Sequence, residues 1–248
     1  MKLQAAWRED ALGTWHQAEQ EGQTLTVRIL DAARAQEEAP RLLFEEEMRR
    51  VTGLRHTNIL RVVTQGNHGL RTWYATEDAH SLTLAEHLAD GPLPESERDA
   101  LMDGLIAALA YLGKRKQVHV ALSPERLLRQ DRGWVLSTFR DIRAQDELRT
   151  LRKRAPAAPR YAPPERFPGH TDTPRAPGLM AYQVGGLLRE ALGQGAPTRE
   201  DGTCAPIPPE LDARWRDPLV RLLHPTASLR PQSLAAIERA LAGEALGT

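Results

Sequence analysis

Residues 118–128 read VHVALSPERLL. The stretch has the frame of a catalytic loop, running from His119 through Pro124 to Leu127 and Leu128. Val120, Ala121, Ser123 and Arg126, however, stand where reactive residues are expected. Whether the loop serves chemistry or only architecture is decided by its surroundings.

Immediately before the loop, PESERDALMDGLIAALAYLGK (94–114) carries Leu101, Leu105, Ile106, Leu109 and Leu112 at the 3.6-residue period of a buried helix face. Ser96 is the expected cap of that helix, and LTLAEHL (82–88) reads as helical before it. After the loop, LMAYQVGGLLREAL (179–192) is apolar enough for a helix buried in the middle of a domain. SLAAIERALAGEAL (233–246) is amphipathic, with Ser233 as its expected cap. Between them RAPAAPRYAPPERFPGHTDTPRAPG (154–178) is dense in proline, which removes backbone donors and predicts irregular chain. The first 80 residues have a different period. QTLTVRIL (23–30) alternates, RTWYATE (71–77) is rich in β-formers, and GTWHQAEQ (13–20) followed by EGQT reads as a strand entering a turn. One helix interrupts them, EEAPRLLFEEEMRRVTGL (37–54), with Leu43, Glu47, Val51 and Leu54 at helical spacing. The expected layout is a small β-rich lobe with one helix, a connector near 77–81 and a larger helical lobe.

The 248 residues suffice for one large domain or two small lobes, and 41% hydrophobic content is ordinary for a globular chain. Thirty-three basic and 33 acidic residues cancel, so no global field draws the chain to nucleic acid or an anionic membrane. MKLQAAWRED lacks the apolar run of a secretory signal, and no segment reaches the roughly 20 apolar residues of a membrane span. A soluble, cytoplasmic protein is expected, and the preference for Arg over Lys suggests a bacterial source. Cys204 is the only cysteine and reads as a loop thiol. His56, His80, His87 and His224 show no metal-ligand spacing.

From about residue 8 to 241 the order of motifs resembles the protein kinase fold, most like the bacterial relatives of eukaryotic Ser/Thr kinases. TVRIL resembles the third strand of the small lobe, with Arg28 at the phosphate-pairing Lys. FEEEMRRVTGLRHTNIL is similar to helix C and the turn after it, with Glu47 at the ion-pairing Glu. WYATED resembles the strand into the hinge, with Thr76 as gatekeeper and 77–79 as hinge. VHVALSPERLL is similar to the His-Arg-Asp loop and VLSTFRD to the Asp-Phe-Gly segment. RYAPPER and LLHPTASLRP resemble the Ala-Pro-Glu end of the activation segment and the final Arg-bearing turn. The resemblance implies an α+β, two-lobed kinase-like fold: an N-lobe over 1–79 with one helix C, and a mainly helical C-lobe over 80–248.

It also implies lost chemistry. Phosphoryl transfer in this family needs carboxylates to hold Mg²⁺ and to orient the acceptor hydroxyl. Ala121 stands at the catalytic Asp, Arg126 at the metal-binding Asn and Thr138 at the Asp of Asp-Phe-Gly, a poor ligand for a hard dication. Loss of a general base alone costs roughly 10²- to 10⁴-fold. Ser123 replaces the loop's Lys, and Val120 replaces the Arg that reads a phosphorylated activation segment. Of the glycine-rich loop only Gly13 is kept, with Arg8 and Asp10 near the first two glycines, where Asp10 would repel phosphate. Trp15 and Thr26 align with residues that normally rest on adenine, and the Trp15 indole is large enough to fill the purine space. Leu128 matches the floor of that pocket. Asp131 and Asp141 flank the site as candidate replacements for the lost carboxylates.

Residues that hold the fold are kept. Glu165 and Arg230 match a buried ion pair, Val51, His119 and Phe139 match the internal apolar column, and Gly185 and Glu190 fit the central helix. Met180 replaces that helix's Asp, which puts the geometry of the 118–128 loop in question. The resemblance therefore implies a catalytically inactive pseudokinase, binding neither ATP nor Mg²⁺. Its expected partner is another protein, such as an active kinase or signalling complex, for which it acts as scaffold or allosteric regulator. The basic run 140–154 is a candidate docking surface. The alternatives are a metal-independent nucleotide switch using Arg28 and Arg126, or an enzyme using the same fold for a different transfer.

Overall fold

The computed structural model describes residues 2–77, 79–148, 156–169 and 175–244. Among them the chain is α+β, with a five-stranded antiparallel sheet and seven α-helices. It divides into two compact units, one of residues 1–82 with 128–142, the other of residues 83–127 with 143–248. No helix among the described residues is long and apolar enough to cross a membrane.

The first unit is built on strands β1 (Lys2–Glu9), β2 (Gly13–Gln20), β3 (Gln23–Leu30), β4 (Val62–His68) and β5 (Arg71–Glu77), in the order β1-β2-β3-β5-β4. The β2–β3 turn is a two-residue hairpin with Glu21 and Gly22 both at positive φ, which opposes Gln20 to Gln23 and sets the whole register to Gly13 opposite Leu30. In β3 the apolar Leu25, Val27 and Leu30 are buried, and so are Thr26 and Arg28 between them. Both faces of β3 are therefore covered, and the alternation read from sequence does not separate core from solvent. β1 was not anticipated. All eight of its residues are exposed, and its register with β2 is interrupted twice.

Helix α1 (Ala32–Ala35) is one short turn capped by Asp31, and α2 (Glu38–Val51) follows it. The buried positions of α2 are Phe44, Glu47 and Val51, while Leu43 is exposed. Leu43 was expected inside and is not; Phe44 takes its place, while Glu47, Val51 and Leu54 are buried as expected. The segment 128–142, expected with the second lobe, packs with the first unit. Its strands β6 (Leu127–Gln130) and β7 (Gly133–Leu136) form a hairpin. Asn58 Nδ2 donates to the Trp134 carbonyl at 3.0 Å, the Leu136 N–H to Asn58 O and the Leu60 N–H to Leu136 O, both at 2.9 Å. Arg132 adds a two-pronged ion pair with Glu77. These bonds are why the turn after α2 carries an asparagine.

The second unit is helical: α3 (Leu84–Ala89), α4 (Glu95–Lys114), α5 (Ala176–Ala191), α6 (Ala213–Leu222) and α7 (Leu234–Leu241). Thr83 and Glu86 form a reciprocal capping box on α3, and Ser233 accepts the Ala236 N–H at 3.1 Å as the expected cap of α7. Ser96 is not the cap of α4. The cap position is Pro94, two residues earlier, and the helix carries Glu95 and Glu97 in its first turn, where acidic charge complements the exposed N–H groups. Its expected apolar face, Leu101 to Leu112, is buried. α5 is buried on every side over most of its length. Gly185 lets α6 approach it, since a Cβ there would lie 2.8 Å from that of Leu222. The described part of the proline-rich stretch is irregular apart from single 3-10 turns at Pro159–Tyr161 and Pro164–Arg166, until its last three residues open α5.

Candidate functional site

In the first unit the candidate residues of β2, β3, α2 and β5 meet around one guanidinium. Arg28 is 1% exposed; its Nη1 donates to Glu47 Oε1 and, at 3.4 Å, to the Tyr74 hydroxyl, and its Nη2 donates to Asp10 Oδ2 at 2.7 Å. Tyr74 in turn donates to Glu47 Oε1 at 2.8 Å. The guanidinium carbon lies 5.1 Å from the ring centres of both Trp15 and Phe44, so two π faces help to carry a buried cation. Burial alone would lower the Arg28 pKa, but Tyr74, Glu47 and Asp10 together hold it above its ordinary value. Burial raises the Tyr74 hydroxyl well above the usual phenol value, with Glu47 adding to it, so it stays a donor. Two atoms of the cluster, Arg28 Nε and Glu47 Oε2, are buried with no hydrogen-bond partner among the described residues.

Asp10 closes its own loop. Its Oδ1 accepts the Leu12 N–H at 2.8 Å and the Gly13 N–H at 3.2 Å, and its own N–H donates to Gly13 O at 2.9 Å. Burial would raise its pKa, but Arg28, the Leu12 N–H and Arg140 outweigh that and hold it below 3.8. Trp15 is half-buried; its ring rests on Arg28 and meets Tyr74 edge-on at 6.2 Å. Phe139 makes a similar contact with Tyr74 at 6.2 Å, and Val51 is fully buried. Thr26 and Thr76 are both fully buried; the Thr76 hydroxyl donates to Thr26 O at 3.3 Å, and Thr26 Oγ1 accepts the Ala79 N–H at 3.0 Å. Leu128 is buried and Thr138 half-buried. Asp141 is buried and Asp131 exposed. No group of three His, Cys, Asp or Glu side chains among the described residues is placed to hold a metal ion.

In the second unit the 118–128 loop is apolar and buried at Val118, His119, Val120, Ala121 and Leu122, with Ser123 buried as well. His119 Nδ1 accepts the Ala121 N–H at 3.4 Å, and the Ser123 hydroxyl accepts from Arg126 Nε at 3.2 Å. Met180 does not touch off a collapse of this loop, because Gln183, one turn further along α5, reaches its backbone. In the amide orientation that satisfies both ends, Gln183 Nε2 donates to His119 O at 2.9 Å and Oε1 accepts the Ala121 and Leu122 N–H groups, each at 3.1 Å. Sequence reasoning missed this residue. The available signal was a glutamine in the middle of a mostly apolar helix, a polar group that must find partners when buried.

Glu165 and Arg230 form a two-pronged pair at 2.7 and 2.8 Å, with both side chains at or below 1% exposure. Arg230 also donates to the carbonyls of Gly178 (3.2 Å), His224 (2.7 Å) and Pro225 (3.0 Å), and its guanidinium carbon lies 4.8 Å from the Tyr182 ring centre. Glu190 accepts the Tyr161 hydroxyl at 2.7 Å. Cys204 contacts the Tyr182 hydroxyl at 3.5 Å, and burial raises its pKa, so it is a packed thiol rather than a reactive one. The candidate docking run 140–154 is described only to residue 148, and its remaining basic residues lie outside the described residues, as does position 78 of the expected hinge. Among known proteins, no family model matches the chain and no curated sequence is significantly similar to it.

Proposed function

We propose that this chain is a non-catalytic, kinase-like domain of two lobes that acts by binding another protein, as a scaffold or as an allosteric regulator of an active enzyme. One observation carries the reading: the groups of the first unit that would receive a nucleotide are already engaged internally. The Leu12 and Gly13 amides and Arg28 Nη2 are bound to Asp10. A purine edge is read by backbone N–H and C=O groups, and the Ala79 N–H of the expected hinge is held by Thr26. A phosphate loop of this kind works because its donors are unspent; here they are spent. Ala121, Arg126 and Thr138 add the absence of the base and of both metal ligands at the three positions that catalysis in this family requires.

The frame is supported by what the chain spends its buried polar groups on. The Glu165–Arg230 pair and the Gln183 clamp on residues 119–122 hold backbone, not substrate. Arg28 and Arg126, the cations a metal-independent nucleotide switch would use, both have internal partners. Thermal-shift and calorimetric titration with ATP test the reading, once with Mg²⁺ and once with EDTA. No shift is expected in either; a magnesium-dependent rise in melting temperature, or transfer of labelled phosphate to any acceptor, overturns it. The binding role is tested by affinity capture from the source cell. A partner that co-purifies at fixed stoichiometry and re-forms the complex from purified components is expected.

A further inference from the structure

Helix α2 turns an ordered row of side chains to solvent. Glu38, Leu42, Glu45 and Arg49 follow one another at intervals of four, three and four residues, the spacing of a single helix face. Glu38, Leu42 and Arg49 are exposed and Glu45 partly so. The positions that α2 buries, Phe44, Glu47 and Val51, each lie two residues beyond a member of this row, roughly 200° around the helix. Leu42 is 48% exposed and Leu43 beside it 46%, an apolar pair on the outer side of a helix whose inner side is already filled.

Single exposed leucines are ordinary, but the charges around this pair are ordered. The row begins with an acid, Glu38, and ends with a base, Arg49. Neither has an ion pair within the chain among the described residues, whereas Arg34, Arg41 and Arg50 are each matched to a neighbouring glutamate. A face that is acidic at one end and basic at the other is its own complement when reversed. A second α2 laid antiparallel, with the two-fold axis between residues 43 and 44, sets each Glu38 opposite the partner's Arg49. The two Leu42 side chains then lie about 4.5 Å apart along the helix direction, each against the stem of the partner's Glu45. A parallel pair would instead set Glu38 against Glu38 and Arg49 against Arg49, and like charges across an interface are costly. The reversed arrangement also opposes the positive end of each helix to the negative end of the other.

We propose that the outer face of α2 is a self-docking surface, on which a second copy of this chain binds through antiparallel α2 helices about a two-fold axis. One helix pair covers less than the roughly 1,200 Å² of a stable interface, so the dimer is weak and concentration-dependent. The inference needs only α2 and not the kinase-like reading, so the two fail separately.

The test is sedimentation of the full chain from about 10 µM to about 1 mM. The native chain is expected to pass from monomer to dimer across that range, and Leu42→Lys to stay monomeric. Glu38→Arg alone and Arg49→Glu alone each set like charges at both ends of the interface and should weaken association roughly tenfold. Mixed in equal amounts, these two variants restore both charge pairs in a dimer holding one copy of each, and association should return to the native level. The double variant should likewise dimerise with itself. A purely structural effect of either substitution cannot produce that recovery. A native chain that is monomeric throughout, a mixture that associates no better than its components, or a dimer indifferent to Leu42→Lys overturns the proposal. So does a native monomer that holds a different protein through this face and releases it in Leu42→Lys.

Discussion

Arg28 and Arg230 are both buried cations facing a glutamate, and they are held in different ways. Every N–H of Arg230 has an acceptor: two carboxylate oxygens of Glu165 and three backbone carbonyls. Arg28 meets one oxygen of Glu47, one of Asp10 and a phenol, and among the described residues leaves Nε without an acceptor and Glu47 Oε2 without a donor. A buried charge is tolerable when desolvation is repaid by complete hydrogen bonding. Arg230 meets that condition and fastens separate segments of the second unit. Arg28 meets it in part, and its third partner, Asp10, reaches solvent. The difference separates a saturated pair from an unsaturated cluster: the first has every donor engaged, the second leaves one donor and one acceptor over among the described residues.

The largest expected effect lies at the fastening. Glu165→Gln or Arg230→Met should cost about 3–5 kcal/mol by stranding a buried charge, read as a lowered urea midpoint with unchanged slope. Arg28→Met should cost less, about 2–3 kcal/mol, because Tyr74 still serves Glu47 and water can serve Asp10. If the Arg28 variant proves the more damaging in the same assay, the comparison is wrong. Gln183→Ala comes next, at about 1–2 kcal/mol for the Leu122 N–H and the His119 carbonyl left unpaired, with the Ala121 N–H keeping only its long bond to His119 Nδ1. Hydrogen exchange should quicken at Ala121 and Leu122 in that variant and not in β3.

Asp10→Asn is expected to be the smallest, about 0.5–1 kcal/mol near neutrality, discounted for its partial exposure. Its pH dependence has a fixed sign. The folded pKa is depressed below 3.8, so the carboxylate's stabilisation is fully present above that value and is lost as pH falls through the lower, folded one. Urea unfolding of native and Asp10→Asn chains should therefore differ at pH 7 and converge at strongly acidic pH. A difference that persists in acid would mean that shape, not charge, holds the loop.

Much of the architecture was legible because it rests on local periodicity. The apolar face of α4, the Ser233 cap and the β2–β3 hairpin follow from residues within a turn or two of one another. Glu165 and Arg230, 65 residues apart, could be matched only through the family resemblance. What escaped has a common cause. β1 has no buried face, so it carries no alternation to read. The inner stripe of α2 runs through Phe44 because its partners, Arg28 and Tyr74, come from other strands. The segment 128–142 was assigned by position in the chain, whereas Asn58 and Leu60 bind it to the first unit. At the candidate site the identities of Asp10, Thr26 and Gln183 were visible, but not their acceptors and donors, since a side chain that satisfies backbone across the fold leaves no mark in spacing.

β1 carries one further consequence. Eight exposed residues lie at the margin of the sheet, an arrangement that invites another chain to add a strand. Two slips in its pairing with β2, between Leu3 and Ala6 and between Ala6 and Arg8, throw its outward amides and carbonyls out of step. An incoming polypeptide finds no unbroken ladder to copy, so the rim is guarded against fibrillar growth by irregularity rather than by a lid.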